Sequence, residues 1–171
     1  MGKRIKPLEP PDSFHLKAAE GWLELGNHLE ANEELEQIAP QLRVHPDVLE
    51  IRWEIYAKES KWNVCKDIAK AITKLAPTRS SGWLHLAYAT RRAKDGGLKP
   101  AREILSSATE KFPKAPIIFY NLACYDCQLG NLKEAKQWLG KAIDLAGKKN
   151  IRLMALDDTD LKPLWEQIGS I

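Results

Sequence analysis

The sequence predicts an all-α protein built as a row of helix–turn–helix units, and three observations carry that expectation. Residues Ile117 to Ala146 hold two amphipathic helical patterns joined at Gly130-Asn131, with small residues at Ala123, Ala135 and Ala142. Leu25-Gly26-Asn27 and Leu129-Gly130-Asn131 spell the same turn twice. Unit starts fall near residues 12, 46, 80 and 116, at steps of 34, 34 and 36 residues. A single unit of this kind cannot bury its apolar face alone, so the units must stack on one another.

Taken in order, residues 1–11 contain Pro7, Pro10 and Pro11 and little apolar periodicity, which predicts an extended leader. Asp12 or Ser13 is the expected N-cap of the first helix. The unit at 12–45 carries Ala18-Ala19, Trp22, Ala31, Leu35 and Ile38 at helical spacing. The unit at 46–79 reads Leu49, Arg52-Trp53 and Tyr56, then Cys65, Ala69, Ile72 and Pro77. Trp53 stands there where crossing helices usually require a small residue. The unit at 80–115 has Trp83, Leu86-Ala87, Ala101, Leu105, Ala108 and Pro113. Its two extra residues fit the Gly96-Gly97 turn, and Pro100 suits a first helical turn. The unit at 116–149 is the clearest copy. Beyond it, Asn150–Asp157 suits a short helix. Asp157 to Asp160 offer caps for a last helix with Leu161, Leu164, Trp165 and Ile168 on one stripe. Residues 150–171 therefore read as a helical cap over the last apolar face.

Composition sets outer bounds. The 171 residues are 44% hydrophobic and 29% charged, with a net charge of +3, too small to argue for nucleic acid or a membrane surface. No run of 18 apolar residues exists, and MGKRIKPLEPP lacks the apolar core of a secretory signal. Three cysteines do not make a disulfide framework, so the cytoplasm is the simplest compartment.

The spacing resembles the tetratricopeptide repeat, a helix–turn–helix unit of about 34 residues with the pattern W-x2-L-G-x2-Y…A-x3-F…P. Phe119-x2-Leu122-Ala123, Ala135-x3-Leu139 and Ala142 carry it, as do Trp83-x2-Leu86-Ala87 and Ala101-x3-Leu105, although Gly147 replaces the usual final proline of the last unit. The resemblance spans about residues 12–149 and implies a right-handed α-solenoid of four repeats with a C-terminal helical cap. Acidic, leucine-containing tails like this one close many bacterial members, which implies a bacterial source. Pentatricopeptide repeats, which read RNA bases, would need recurring polar pairs that the sequence lacks. HEAT and armadillo repeats have longer periods.

Catalytic signatures are missing from the sequence. His15, His28, His45 and His85 form no helical metal pair, and neither a phosphate loop nor a G-x-S-x-G nucleophile turn is present. Cys124-x-x-Cys127, three apart on one helix face, makes a redox or metal function the third alternative reading. Against it, the pair lies mid-helix, where the dipole gives a thiolate no help, and lacks a second ligand pair for zinc. The expectation is a protein with no enzymatic activity, cofactor or metal. Trp22, Trp53 and Trp83 are expected in the core, and Trp62 at a helix entry.

In the family, first helices line a concave groove. Carried across, the resemblance implies that Glu20, Glu50, Glu54, Leu84, Tyr88, Arg91, Arg92, Tyr120, Cys124 and Cys127 face that groove. The two-carboxylate clamp of chaperone-binding members is not matched: Leu16, Glu20, Ile51 and Ser81 hold its main positions, and only Asn121 resembles its part. The expected partner is a peptide or helix with an apolar anchor, oriented by charge; nucleic acid and membrane are not expected. Charge also differs along the chain: residues 12–45 carry seven acids against two bases, and residues 80–115 seven bases against three acids. A structural unit that self-associates head to tail through these oppositely charged repeats is the alternative reading; a homo-oligomer is possible but not implied by the sequence.

Overall fold

Three of the turns between paired helices share one backbone solution. After α1 (Asp12–Glu24), Asn27 N donates to Trp22 O at 2.8 Å, and Gly26 adopts φ 80. His28–Gln37 follows as α2. After α3 (Pro46–Lys58), Lys61 N donates to Tyr56 O at 2.9 Å and Ser60 takes φ 56, before α4 (Trp62–Leu75) begins. After α7 (Pro116–Gln128), Asn131 N donates to Asp126 O at 2.8 Å and Gly130 takes φ 84, leading into α8 (Leu132–Ala146). This is the Schellman stop, in which a left-handed residue satisfies the last helical carbonyls. Glycine takes that conformation freely; Ser60 takes it at the strain of a Cβ. The turn between α5 (Ser80–Arg92) and α6 (Leu98–Ala108) is different: Gly97 N reaches back to Thr90 O at 2.9 Å, with Gly97 at φ 133.

The structure, a computed structural model, describes residues 5–170; the first four residues of the expected leader lie outside them. Besides the eight paired helices there are α9 (Lys148–Asp157) and α10 (Trp165–Ser170). Short 3-10 segments occupy Pro40–Leu42 and Thr159–Leu164. Two local expectations are corrected. The first helix has Pro11 as its N-cap, and the Asp12 carboxylate instead accepts Ala39 N at 2.7 Å, tying α1 to the end of α2. The final helix is split in two, because Pro163 lies inside a 3-10 segment and α-helical turns resume only at Trp165.

The chain divides into two compact units, residues 1–89 and 90–171. In the first, Leu16, Ala19, Ala31, Leu35, Ile38, Val48 and Ile55 form one buried cluster, with Leu23 and Ile51 packed on its margin. A second cluster joins Trp53, Cys65, Ala69 and Ala89. Trp53 shares its cluster with the small residues Cys65 and Ala69 of α4, with Trp62 and Ile68 packed at the margin. Cys65 comes close enough for its thiol to donate to Trp53 O at 3.6 Å. Its neighbourhood is dry, and burial pushes the Cys65 thiol up to about 11. Gly82 is needed where α5 crosses α4, since a Cβ there would meet Ile72 Cγ2 at 2.8 Å. Trp22 departs from its expected core role and is 36% exposed.

In the second unit, α7 is apolar almost all round, the mark of a fully enclosed helix. Ile118, Phe119, Tyr120 and every residue from Leu122 to Cys127 are buried. Helices α6 and α8 pack on it from two sides, and the Thr159–Leu164 segment covers it from a third.

Candidate functional site

Each unit presents one candidate surface, built on its first helices. In the N-terminal unit, Glu20 and Glu24 sit one turn apart on α1, and Glu54 and Lys58 one turn apart on α3. Together with Leu23 and Ile51 they line a groove of about 320 Å³. The apolar pair forms its floor because both residues pack against the core cluster beneath. Glu20, Glu24 and Glu54 are exposed, and among the described residues none of them is held by an ion pair. The groove therefore offers free negative charge around an apolar floor.

Beside it runs a more structured polar strip. Ser81 Oγ donates to Glu50 Oε1 at 2.7 Å, Arg79 Nη1 lies 3.6 Å from the same oxygen, and His85 Nε2 stands 3.8 Å from Glu50 Oε2. Burial raises the Glu50 carboxyl, but the hydrogen bonds and charges of His85, Ser81 and Arg79 outweigh it, so it stays below its ordinary value. The His85 ring stacks on Trp53 with centroids 4.0 Å apart. Tyr88 meets Trp53 edge-on at 5.9 Å and Trp62 at 5.8 Å, and keeps 39% of its surface exposed. Leu84 is half-buried. Of the residues expected on this surface, Glu20, Glu54 and Tyr88 are thus open. Glu50 is engaged within the protein.

The second unit departs from expectation. Tyr120, Cys124 and Cys127 do share one stripe of α7, but all three are buried. Residues 158–164 lie over them. Asp158 Oδ2 accepts the Tyr120 hydroxyl at 3.0 Å and the Cys124 thiol at 3.4 Å. Arg91 holds the Asp160 carboxylate with both terminal nitrogens, the second at 3.0 Å. Gln128 Nε2 donates to Asp160 O at 3.0 Å. Leu161 and Leu164 are fully buried beside this contact. Arg92 remains exposed. The expectation of an open groove here is therefore corrected: the chain's own C-terminal segment fills it. Physically, the apolar and donor-rich stripe of α7 needs a cover, and the acids of the segment match its donors.

The electrostatics follow from the same contacts. Burial pushes the Tyr120 hydroxyl and the Cys124 thiol well above their ordinary values, and the neighbouring Asp158 carboxylate adds to both shifts. Burial likewise raises the Cys127 thiol. The hydrogen bonds that Arg91 donates to the Asp160 carboxylate, and the charge of that carboxylate, raise the guanidinium further above its ordinary value against burial. Burial and the neighbouring acids thus both disfavour the thiolate form of these two cysteines. Among the described residues, no group of three or more His, Cys, Asp or Glu is placed to hold a metal ion. No described helix is long and apolar enough to cross a membrane.

One further cluster was not foreseen. Asp126 on α7 is an acid with no exposed surface. Its carboxylate accepts Arg102 Nε at 2.7 Å, Asn131 Nδ2 at 2.8 Å and Trp138 Nε1 at 3.0 Å. Burial raises this carboxyl, but these three donors and the Arg102 charge reverse the effect and leave it below its ordinary value. Asp126 thereby joins α6, α7 and α8 through one side chain. An acid between Tyr125 and Cys127, inside an otherwise apolar run, was the available signal.

Paired helices closed by left-handed turns, with small residues at the helix crossings, define an α-solenoid of the tetratricopeptide type, and solved structures agree. A thermophilic tetratricopeptide-repeat protein of Thermus thermophilus superposes with a TM-score of 0.73 at 19% identity, covering 92% of this chain and 83% of that one. A MamA RS-1 ArsTM double mutant superposes with a TM-score of 0.67 at 14% identity, covering 83% of this chain and 79% of that one. No protein-family profile matches the sequence, and no curated protein matches it either. The chain therefore has the fold of an α-solenoid of tetratricopeptide-type helix pairs, followed by further helices at its C-terminal end.

Proposed function

We propose that the protein is a non-catalytic interaction module that binds a peptide or partner helix on the first-helix surface of its N-terminal unit. The observation that carries this reading is the groove of about 320 Å³ with Glu20, Glu24 and Glu54 on its rim and Leu23 and Ile51 on its floor. Free carboxylates around an apolar floor suit a segment that buries an aliphatic side chain and flanks it with Lys or Arg. The exposed flank of Tyr88 gives the same unit a second apolar contact. Charge at the rim would set orientation and association rate more than affinity.

The test is affinity capture from the native organism with the wild-type chain and with Glu20→Lys/Glu54→Lys, compared at low and moderate salt. Both substituted sites are exposed, so helicity should be unchanged by circular dichroism. The wild type should retain a partner whose binding weakens as salt rises, and the variant should lose it. A variant that captures the same partner equally well would sink the assignment.

Self-association is the second reading, favoured by the seven acids at 12–45 and the seven bases at 80–115. Electrostatic assembly of that kind weakens with ionic strength, so sedimentation at two salt concentrations separates the readings. A salt-independent monomer would exclude it.

A further inference from the structure

Residues 158–164 meet α7 in the manner of a bound peptide. Two carboxylates, one backbone carbonyl and two leucines make the contact, and the donors all come from the other side: the Tyr120 hydroxyl, the Cys124 thiol, the Arg91 fork and the Gln128 amide. Leu161 and Leu164, which follow the second acid, are fully buried, and Leu164 borders a hollow it shares with Leu139, Gly140 and Ile143 of α8. The spacing on the segment is Asp-x-Asp-Leu-x-x-Leu.

The two partners depend on the contact unequally. Without the segment, Arg91 loses its counter-charge and Tyr120 and Cys124 lose their acceptor on a stripe that is otherwise apolar. Leaving such donors unpaired is more costly than never having built them. That stripe therefore calls for an acid-bearing cover. The segment's own structure is short-ranged. It is a 3-10 helix of six residues interrupted by Pro163, longer than such helices usually run. At its start Leu161 N donates to Asp158 O at 3.0 Å and Asp160 N to Asp158 Oδ1 at 2.9 Å. Its recognition is done by side chains and one carbonyl, which a separate peptide can present equally well.

We infer that α7, with Arg91 and Gln128, is a binding site for acidic, leucine-bearing peptides of the form Asp-x-Asp-Leu-x-x-Leu, occupied by the chain's own residues 158–164 and opened when a partner protein carrying such a segment displaces them. The site lies in the second unit and does not depend on the groove of the first. A tethered tail competes at an effective concentration on the order of millimolar. A free peptide therefore binds weakly while the tail is intact and much more tightly once the tail is disarmed.

The test uses a fluorescein-labelled peptide copying residues 157–165, titrated by anisotropy against the full chain. It is compared with the Asp158→Asn/Asp160→Asn variant, which weakens the tail and leaves the receptor side unaltered. The variant should bind the peptide at least tenfold more tightly than wild type, and adding Arg91→Ala should cancel that gain. Equal binding by wild type and variant, or indifference to Arg91, overturns the inference. If the variant loses its helical signal, the wild-type chain decides alone. The Trp165 indole N–H donates to Ala155 O at 2.9 Å and Asp158 O at 3.2 Å, and its NMR resonance reports the seated tail. Millimolar unlabelled peptide should move it toward the position of a solvent-exposed indole. A resonance unmoved at that concentration also overturns the inference. Dimers that Arg91→Ala converts to monomers would make a second copy's tail the occupant and overturn the assignment to a separate partner.

Discussion

On α1 and α3 the surface carrying Glu20 and Glu54 lies open, whereas on α7 the stripe carrying Tyr120, Cys124 and Cys127 lies beneath residues 158–164. Both are first-helix surfaces at matching repeat positions, so the repeat itself does not decide their fate. Chemistry does. Glu20, Glu24 and Glu54 are content in water, while Tyr120, Cys124 and Arg91 bring donors to an apolar stripe and require an acceptor. The chain supplies one from its own C-terminal segment. The contrast separates a surface that tolerates vacancy from one that does not.

The largest expected difference lies deeper in the same helix. Asp126→Ala would remove one acid and strand three donors, Arg102 Nε, Asn131 Nδ2 and Trp138 Nε1. Breaking a buried ion pair on one side costs about 3 kcal/mol, the low end being appropriate because Arg102 is partly exposed. For a chain of this size that lowers Tm by roughly 6–12 °C. Glu54→Ala, on the open surface, should change stability by less than about 0.5 kcal/mol. Melting followed by circular dichroism compares the two directly. A loss for Asp126→Ala no larger than that for Glu54→Ala would show that the buried cluster does not hold α6, α7 and α8 together.

How much of this could be read from the sequence differs between helices and contacts. The helices were legible because apolar residues recur at helical spacing and because Gly26 and Gly130 mark their turns. The matching turn at Ser60 was not, since a left-handed serine leaves no glycine to see. Glu20, Glu54 and Tyr88 were found because a surface position is a local property of one helix. The covering of Tyr120 and Cys124 was missed because it depends on an acid 38 residues away, at Asp158. Asp158 read as a cap residue, which it also is: its side chain accepts Asp160 N. Asp126 was missed for the same reason, since its burial is explained only by Arg102, 24 residues earlier.

A smaller effect sharpens the contrast at the covering segment itself. Tyr120→Phe deletes the hydroxyl that Asp158 accepts and changes nothing else in the packing of the ring. A single hydrogen bond to a carboxylate of this kind contributes about 1.5 kcal/mol, which corresponds to a drop of roughly 3–6 °C in Tm. The same variant should speed modification of Cys124 by a thiol reagent at neutral pH, because the thiol loses part of its cover. Glu20→Gln, which leaves no partner behind, should alter neither quantity. If Tyr120→Phe leaves thiol modification as slow as in wild type, the segment is not held by this bond.

The smallest expected effect is in the acid dependence, and it tests whether Glu50 and Asp126 are engaged to different degrees. Both carboxyls are held below their ordinary values in the folded chain, Glu50 by His85, Ser81 and Arg79 against burial, and Asp126 by Arg102, Asn131 and Trp138 against burial. A carboxyl that binds its proton less readily when folded than when unfolded adds stability that is complete above its unfolded value. For Glu and Asp those unfolded values are about 4.3 and 3.9. The added stability drains away as pH falls through the folded value, because the unfolded chain takes up the proton first. Each group can contribute a slope of at most about 1.4 kcal/mol per pH unit, and a partial proton gives only a fraction of it. Melting between pH 6 and pH 3 should therefore show Glu50→Gln and Asp126→Asn each with a shallower acid slope than wild type. Hydrogen exchange on α3 and α7 separates the two units: Glu50→Gln should flatten the acid response of α3 amides alone, and Asp126→Asn that of α7 amides alone. A slope unchanged by Asp126→Asn would mean that Arg102 and its neighbours hold the carboxylate no better than water does, and the distinction between the anchored helix and the open surface would lose its electrostatic part.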